Sequence, residues 1–219
     1  MKSRERKIIF VSGTGTGIGK TFVSAILAEA LHADYWKPVQ AGYATITDSD
    51  WVRNSLTNKK SVVHPETYRL KLAASPHIGA KQENITISLQ KIKQHLPSGD
   101  NDLIIEGAGG LMVPLNDHEF VTDLIRLLDV PVILVSRNTL GSINFSLLTA
   151  LVCKQKGIRA VGWIFNDNYL DYEHDITRWS GIPSLGSIPY APHIDSDFII
   201  MQAERLKKGK LFSSFFEIK

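Results

Sequence analysis

The chain has 219 residues, enough for one domain or at most two and for a sizeable buried core. Hydrophobic residues make up 43% and charged residues 21%, which excludes a disordered chain. The net charge of +3 is too small to indicate nucleic-acid binding, and the single cysteine excludes a disulfide framework. Since the sequence has no apolar run near the roughly 18 residues of a membrane span and no signal peptide, we expect a cytoplasmic protein without membrane partners.

Short apolar strands alternate along the chain with segments whose apolar residues have helical spacing. The predicted strands cover residues 7–12, 35–39, 102–106, 131–136, 159–166 and 185–189. The predicted helices cover residues 21–31, 120–128, 143–156 and 195–208. This alternation predicts an α/β fold, a mostly parallel sheet flanked by helices on both faces. We expect a single domain over residues 1–219, with the polar stretch 57–94 as an excursion from it.

A glycine-rich loop joins the first predicted strand to the first predicted helix, running from Gly13 to Thr21. Strand, glycine loop, Lys-Thr and helix in this order are typical of a phosphate-binding loop. Lys20 would reach the β- and γ-phosphates, and the Thr21 hydroxyl would ligate Mg²⁺. Gly13 lies one position further from Gly19 than in the usual loop, so this is a variant. A dinucleotide fingerprint is the alternative, which the Lys-Thr pair and the lack of an acid after the second strand disfavour.

Several polar side chains follow predicted strands, at the edge where open parallel sheets bind ligands. Glu106 closes an apolar strand and is followed by glycines, which indicates a second Mg²⁺ contact near a nucleotide. Lys37 ends the second predicted strand. From its position alone, a ligand-binding lysine and an ordinary surface lysine fit equally well. Asp48 and Asp50 come after that strand, and either could be a helix N-cap. The pair Asn166-Asp167 fits a contact to a nucleotide base or a simple turn.

Taken together, these motifs resemble the dethiobiotin synthetase family, the ATP-dependent ligases of biotin biosynthesis. The resemblance extends from about Phe10 to Pro189. Many ATPases share the phosphate loop, but its combination with Lys37-Pro38-Val39 and with the run from Glu106 to Gly110 is far more specific. The other matching motifs are Ser49-Asp50, Ser75-Pro76-His77, Pro114-Leu115, Leu140 to Asn144, Gly162-Trp163 and Ile188-Pro189.

The resemblance implies a reaction, its catalytic groups and a metal. Members of the family carboxylate and cyclise 7,8-diaminononanoate with CO₂ and ATP to dethiobiotin, ADP and phosphate. The intermediates are a carbamate and a carbamic–phosphoric anhydride. Lys37 and Lys20 would be the catalytic residues that steady the carbamate and the phosphoryl oxygens. Mg²⁺ would lie among Thr21, Asp50 and Glu106.

The resemblance also implies binding sites and a homodimer. Gly17 to Phe22 would hold the triphosphate, and Asn166 with the backbone near Pro189 would bind the adenine. The N–H groups at the start of the predicted helix at Ser142 would bind the distal carboxylate of the substrate across the dimer interface. The implied nucleotide-binding residues are Gly17, Ile18, Gly19, Lys20, Thr21, Phe22, Asp50, Glu106, Gly107, Ala108, Gly109, Asn166, Asp167, Ile188, Pro189 and Tyr190. The implied substrate-binding residues are Thr16, Lys37, Ala41, Ser142, Ile143 and Asn144.

Three positions depart from the family pattern. Gly15 stands where the family's loop usually has an acid, and Gly17 stands where it often has a glutamate. Side-chain contacts are lost at both positions, while backbone contacts remain. Ala41 stands where the family usually has a serine or threonine, which removes a hydroxyl contact to the substrate.

Two alternatives share the loop and the fold. A related phosphate-loop amide ligase would differ from the dethiobiotin enzymes in lacking the lysine of Lys37-Pro38-Val39. A partition-type ATP switch, in which ATP drives dimerisation, generally has an additional lysine early in the loop, and none lies between Gly13 and Thr16. Hydrolysis of ATP without a second substrate would favour the switch.

Overall fold

The computed structural model describes residues 6–43, 45–167 and 170–217. Its strands are β1 (Ile8–Gly13), β2 (Asp34–Trp36), β3 (Val39–Ala41), β4 (Val63–His64), β5 (Tyr68–Leu70), β6 (Leu103–Glu106), β7 (Val132–Arg137), β8 (Ala160–Asn166) and β9 (Ser184–Ile188). Its helices are α1 (Lys20–Leu31), α2 (Asp48–Ser55), α3 (Pro76–Gln82), α4 (Leu89–Gln94), α5 (Val121–Leu128), α6 (Ser142–Lys156), α7 (Tyr172–Ser180), α8 (Ser196–Lys207) and α9 (Lys210–Phe216).

Seven strands form one parallel sheet in the order β4-β2-β6-β1-β7-β8-β9. Parallel neighbours need crossover connections, and helices supply most of them. The remaining two strands, β3 and β5, form a small parallel pair of their own. The predicted parallel sheet with helices on both faces is therefore confirmed. No helix in the described ranges is long and apolar enough to span a membrane.

Side chains that alternate along the central strands supply two apolar cores, one on each face of the sheet. Phe10 of β1 and Ile105 of β6 belong to the core that also holds residues of α4 to α7. Ile9 and Val11 of β1 and Ile104 of β6 belong to the core on the side of α1, α8 and α9. Because both faces are covered, these strands are apolar at almost every position.

One predicted strand, residues 35–39, is two strands in the structure. β2 ends at Trp36 and β3 begins at Val39, and the two lie in different sheets. Pro38 has no N–H with which to continue a ladder, whereas its carbonyl accepts hydrogen bonds from the Thr67 and Tyr68 N–H groups. The stretch 57–94 contains β4, β5, α3 and α4, and β4 extends the main sheet.

Candidate active site

The phosphate loop connects β1 to α1, and two of its glycines are required for different reasons. A Cβ on Gly13 would lie 2.2 Å from the Val135 carbonyl oxygen, because β1 and β7 approach closely there. Gly19 has φ 89°, and a Cβ on it would lie 2.1 Å from the Phe22 ring and 2.6 Å from Asn166 Nδ2. The loop conformation thus depends on glycine where the chain enters α1.

Positive charge collects where α1 begins. The first turn of α1 contains no acidic residue and has no side-chain cap, so no group of the helix itself offsets the positive end of its dipole. Lys20 is buried and donates a hydrogen bond to the Gly15 carbonyl oxygen at 2.6 Å. Burial, assisted by the nearby Lys37, lowers the pKa of Lys20 to about 8, although Glu106 and Asp48 act in the opposite direction. A polyanion would offset this desolvation of the lysine.

Glu106 is the centre of a buried polar cluster, and its side chain is only 1% exposed. Its Oε1 accepts hydrogen bonds from Thr21 Oγ1 at 3.0 Å and from Lys37 Nζ at 2.8 Å. Lys37 Nζ also pairs with Asp48 Oδ2. Burial alone would lower the pKa of Lys37, but the two carboxylates outweigh it and raise that pKa above its ordinary value. Lys37 is therefore a buried ammonium between two acids, and the surface-lysine interpretation is wrong.

Sequence reasoning missed Tyr35, the other partner of Glu106. The Tyr35 hydroxyl donates to Glu106 Oε2 at 2.7 Å from a fully buried position in β2. Burial, and then the charge of Glu106, raise the pKa of Tyr35 well above its ordinary value, so the phenol stays neutral and donates. A tyrosine in a short apolar strand is typical of an ordinary core position, so the sequence has no signal that separates it from one.

The structure places Asp48, and not the implied metal ligand Asp50, beside Lys37 and in the lining of the cavity that also holds Glu106. Asp50 is the third residue of a capping box, in which its Oδ2 accepts from the Thr47 N–H at 3.0 Å. Its Oδ1 pairs with Arg53 at 2.8 Å, and the Thr47 N–H is the main reason why the pKa of Asp50 is lowered. Residues two positions apart on a helix point to nearly opposite sides, so only Asp48 faces the cluster.

A cavity of about 820 Å³ lies over the phosphate loop and this cluster. It brings together most of the residues that the sequence singled out: Thr16, Gly17, Ile18, Gly19, Lys20, Thr21, Phe22, Lys37, Ala41, Glu106, Ala108, Gly109, Asn166, Asp167, Pro189 and Tyr190. The other lining residues had no binding role assigned from the sequence: Asp48, Ala73, Ala74, Ser75, Pro76, Val113, Arg137, Ala191, Ile194 and Phe198.

Six implied residues lie outside the lining of this cavity. Asp50 is the first of them. The second is Gly107, whose N–H donates to the Val11 carbonyl and continues the sheet. The third is Ile188, which is buried and whose carbonyl accepts from the Asp167 N–H. The other three form the first turn of α6, which begins at Ser142 after Gly141 at φ 90°. Within one copy of the chain this turn does not reach the cavity. The three residues are Ser142, Ile143 and Asn144.

Asn166, at the end of β8, has one half of its amide group engaged. Its Nδ2 donates to the Ile18 carbonyl oxygen at 2.5 Å, which ties β8 to the phosphate loop. Its Oδ1 is buried and has no hydrogen-bond partner within the part of the chain that the structure describes. A buried acceptor in a cavity wall without a donor is costly unless a ligand supplies one.

Solved structures with this fold include the cell division ATPase MinD of Pyrococcus furiosus, with a TM-score of 0.56 and 17% identity over 97% of this chain and 98% of that chain. A plasmid partition protein of Borrelia burgdorferi has a TM-score of 0.56 and 13% identity over 97% of this chain and 99% of that one. At such identities the likeness shows the fold alone. The fold and the loop define a phosphate-loop nucleotide-binding protein.

Sequence relatives identify the family within this class. The profile of a family described as an AAA domain matches residues 7–197. The ATP-dependent dethiobiotin synthetase of Cytophaga hutchinsonii is 53% identical over 212 residues, covering 96% of this chain and 100% of that protein. That of Christiangramia forsetii is 44% identical over 203 residues, covering 92% and 97%. The chain belongs to the dethiobiotin synthetase family.

The loop geometry makes a prediction for Gly19→Ala. The added methyl group would collide with Phe22 and the Asn166 amide. ATP affinity should therefore fall by roughly 100-fold or more, and each tenfold of that loss corresponds to about 1.4 kcal/mol of binding free energy. Titration calorimetry measures this affinity. Gly157→Ala is the matched control, because Gly157 has φ 66° but open space around it, outside the cavity. Equal affinities in the two variants would contradict the close approach at Gly19.

Proposed function

We propose that the chain carboxylates and cyclises 7,8-diaminononanoate with CO₂ and ATP, giving dethiobiotin, ADP and phosphate. The observation that carries this proposal is the buried ammonium of Lys37 in the same cavity as Lys20 of the phosphate loop. Together they supply two positive charges beside which a carbamate and a phosphoryl group could react. The relatives that are 53% and 44% identical, named for this reaction, support it.

The chemistry needs positioning and charge neutralisation more than it needs a protein nucleophile. One amine of the substrate attacks CO₂ and loses a proton to give a carbamate, a weak electrophile. Transfer of the γ-phosphoryl group to a carbamate oxygen creates a leaving group. The second amine then attacks that carbon, the ring closes and phosphate departs. Lys37 would hold the carbamate, while Lys20 and the loop N–H groups would bind the phosphoryl oxygens in transfer.

We infer that Mg²⁺ binds at the cluster through Thr21, Asp48 and Glu106. Hydroxyl and carboxylate oxygens are the donors that Mg²⁺ prefers, and the ion keeps several positions for water and phosphate oxygens. Residues 6–43, 45–167 and 170–217 contain no group of three or more His, Cys, Asp or Glu side chains able to hold a metal unaided. Nucleotide oxygens would therefore complete the coordination, and the ion would neutralise the phosphate charge.

The free Oδ1 of Asn166 supports ATP as the nucleotide. Since Ile18 fixes the Nδ2 side of the amide, the group that remains is an acceptor, which suits an amino group such as that of adenine. The carbonyl group that guanine has at the corresponding position would meet another acceptor. Phe22, Tyr190 and Phe198 in the same cavity offer aromatic surface for a base.

A homodimer in which α6 faces its own copy would bring the first turn of α6 to the other copy's cavity. α6 exposes a row of apolar side chains at three-residue spacing, with Phe145 56%, Leu148 52% and Leu151 48% exposed. A row of this kind on one helix is typical of a surface that another protein covers. The N–H groups at Ser142 could then bind the distal carboxylate of the substrate from the second copy.

Phosphate release should require the diamine when the protein is given ATP, Mg²⁺ and bicarbonate, and dethiobiotin should be detected by mass. Lys37→Ala should lower product formation by roughly 100-fold or more, because a transition-state charge loses its partner, while ATP binding persists. Lys93→Ala, at an exposed lysine of α4, is the control. Release without the diamine would contradict the ligase and fit an ATP switch. Equal loss of ATP binding and product formation would contradict the role given to Lys37.

The two aspartates of α2 should behave differently. Asp48→Asn should raise the Mg²⁺ concentration needed for half-maximal turnover by about tenfold or more, because a carboxylate is lost from the cluster. Asp50→Ala should leave that concentration unchanged and lower the melting temperature, because the capping box is lost. Titration of Mg²⁺ in the phosphate assay, with thermal melting, tests both. The reverse pattern would return the metal ligand to Asp50.

Disrupting the apolar row of α6 should separate the two copies. Leu148→Arg places a charge at the centre of the row, so we expect a monomer in sedimentation velocity where the unaltered protein is a dimer. Leu211→Arg, at a leucine of α9 that is 55% exposed, should leave the dimer intact. A monomeric unaltered protein, or dissociation by the α9 variant alone, would contradict this interface.

A further inference from the structure

Tyr35 reaches the candidate active site from inside the sheet. In the register of β2 and β6 it pairs with Ile104, so Glu106 lies two residues further along on the same face. The side chain of Tyr35 is 0% exposed and belongs to the apolar core on the α1 side of the sheet. Its hydroxyl covers the remaining distance and donates to Glu106 Oε2 at 2.7 Å.

The two oxygens of Glu106 have separate sets of partners. Oε1 accepts from Thr21 and from Lys37, at 3.0 Å and 2.8 Å. Oε2 accepts from Tyr35, whose side chain does not line the cavity. Thr21 and Lys37, which both have a role in the proposed chemistry, therefore approach one oxygen, and a group from the core holds the other.

This division restricts a side chain that would otherwise be free to turn. The last torsion of a glutamate is broad, so an unrestrained carboxylate can present either oxygen, or both, to a cation. Packing alone does not explain the tyrosine, because phenylalanine would fill the same space without a hydroxyl that needs a partner. The phenol has one proton to donate, and the structure directs it to Glu106.

We propose that Tyr35 is a positioning residue, whose phenol holds Oε2 of Glu106 so that the carboxylate binds Mg²⁺ through Oε1 alone, next to Thr21 and Lys37. This inference rests on the Mg²⁺–nucleotide part of the proposed function, and it does not depend on the identity of the second substrate. Partners that orient a metal ligand typically contribute a factor of about 10–100 in metal affinity or activity.

The test compares ADP binding to the full chain with Mg²⁺ and with a chelator, by titration calorimetry. Tyr35→Phe should reduce the gain in ADP affinity that Mg²⁺ provides by about tenfold or more, and leave the affinity without Mg²⁺ unchanged. Tyr68→Phe is the matched control, because Tyr68 is a buried tyrosine of the other core whose hydroxyl accepts from the Ser88 N–H at 2.9 Å. An undiminished gain, or equal losses with and without Mg²⁺, would overturn the proposal and reduce Tyr35 to a packing residue.

A double variant tests whether Tyr35 acts through Glu106. In the Glu106→Gln background, Tyr35→Phe should have no further effect on the Mg²⁺-dependent gain, since residues that act through one another are not additive. Additive losses would overturn the proposal.

Because Tyr35→Phe leaves a buried carboxylate oxygen without a donor, the variant could lose stability, so a second measurement uses the unaltered protein. The infrared bands of Glu106 are isolated by subtracting the spectrum of Glu106→Gln, with and without Mg²⁺ and ADP. A separation of the carboxylate stretches typical of coordination through one oxygen supports the proposal, and that of coordination through both oxygens overturns it. A chain that binds Mg²⁺ and ADP in this way but makes no dethiobiotin would refute the proposed function and leave the role of Tyr35 standing.

Discussion

The candidate active site depends on one buried ion pair, between Lys37, directly after β2, and Glu106, at the end of β6. Both side chains are almost inaccessible, at 5% and 1% exposure. A buried charge is costly unless a partner and hydrogen bonds compensate for it, and here each residue is the other's buried partner. The strands that carry them are direct neighbours in the parallel sheet. The sheet therefore fixes the distance between the charges before any ligand arrives, and little reorganisation remains for the reaction itself.

The break in the chain at Pro38 determines where this pair lies. β2 leaves the main sheet directly after Trp36, and Val39 begins a strand that pairs with β5. Lys37 thus stands where the two sheets diverge, and it lines the cavity over the phosphate loop. The chain then returns through α2, and the Gln40 side-chain oxygen accepts the Asp48 N–H at 3.2 Å, which helps to hold Asp48 near Lys37. A continuous strand through residues 35–39 would give none of this arrangement.

The sequence predicts those parts of the molecule that depend on local pattern. The buried strands β6, β1, β7 and β8 that form the middle of the sheet, the phosphate loop and the acid at the end of β6 all have such patterns, and each of these elements is present. The sequence fails where tertiary contacts decide. Asp48 and Asp50 have the same charge and nearly the same position, and only the direction in which α2 starts distinguishes them. Tyr35 has a role only because of its register against Ile104, and a single sequence does not reveal register.

The positions that depart from the family pattern affect different parts of the site. A Cβ on Gly15 would meet nothing within 4 Å, so packing does not demand glycine there; its carbonyl, the acceptor for Lys20, belongs to the backbone. Gly17 also has open space around it, although its φ of 71° disfavours other residues. The backbone groups and Lys20, which would bind phosphate, are therefore unaffected by the missing side chains. Ala41, by contrast, lines the cavity with a methyl group in place of a hydroxyl. The departures should therefore change the affinity for the second substrate while the phosphoryl-transfer machinery stays as it is in the family.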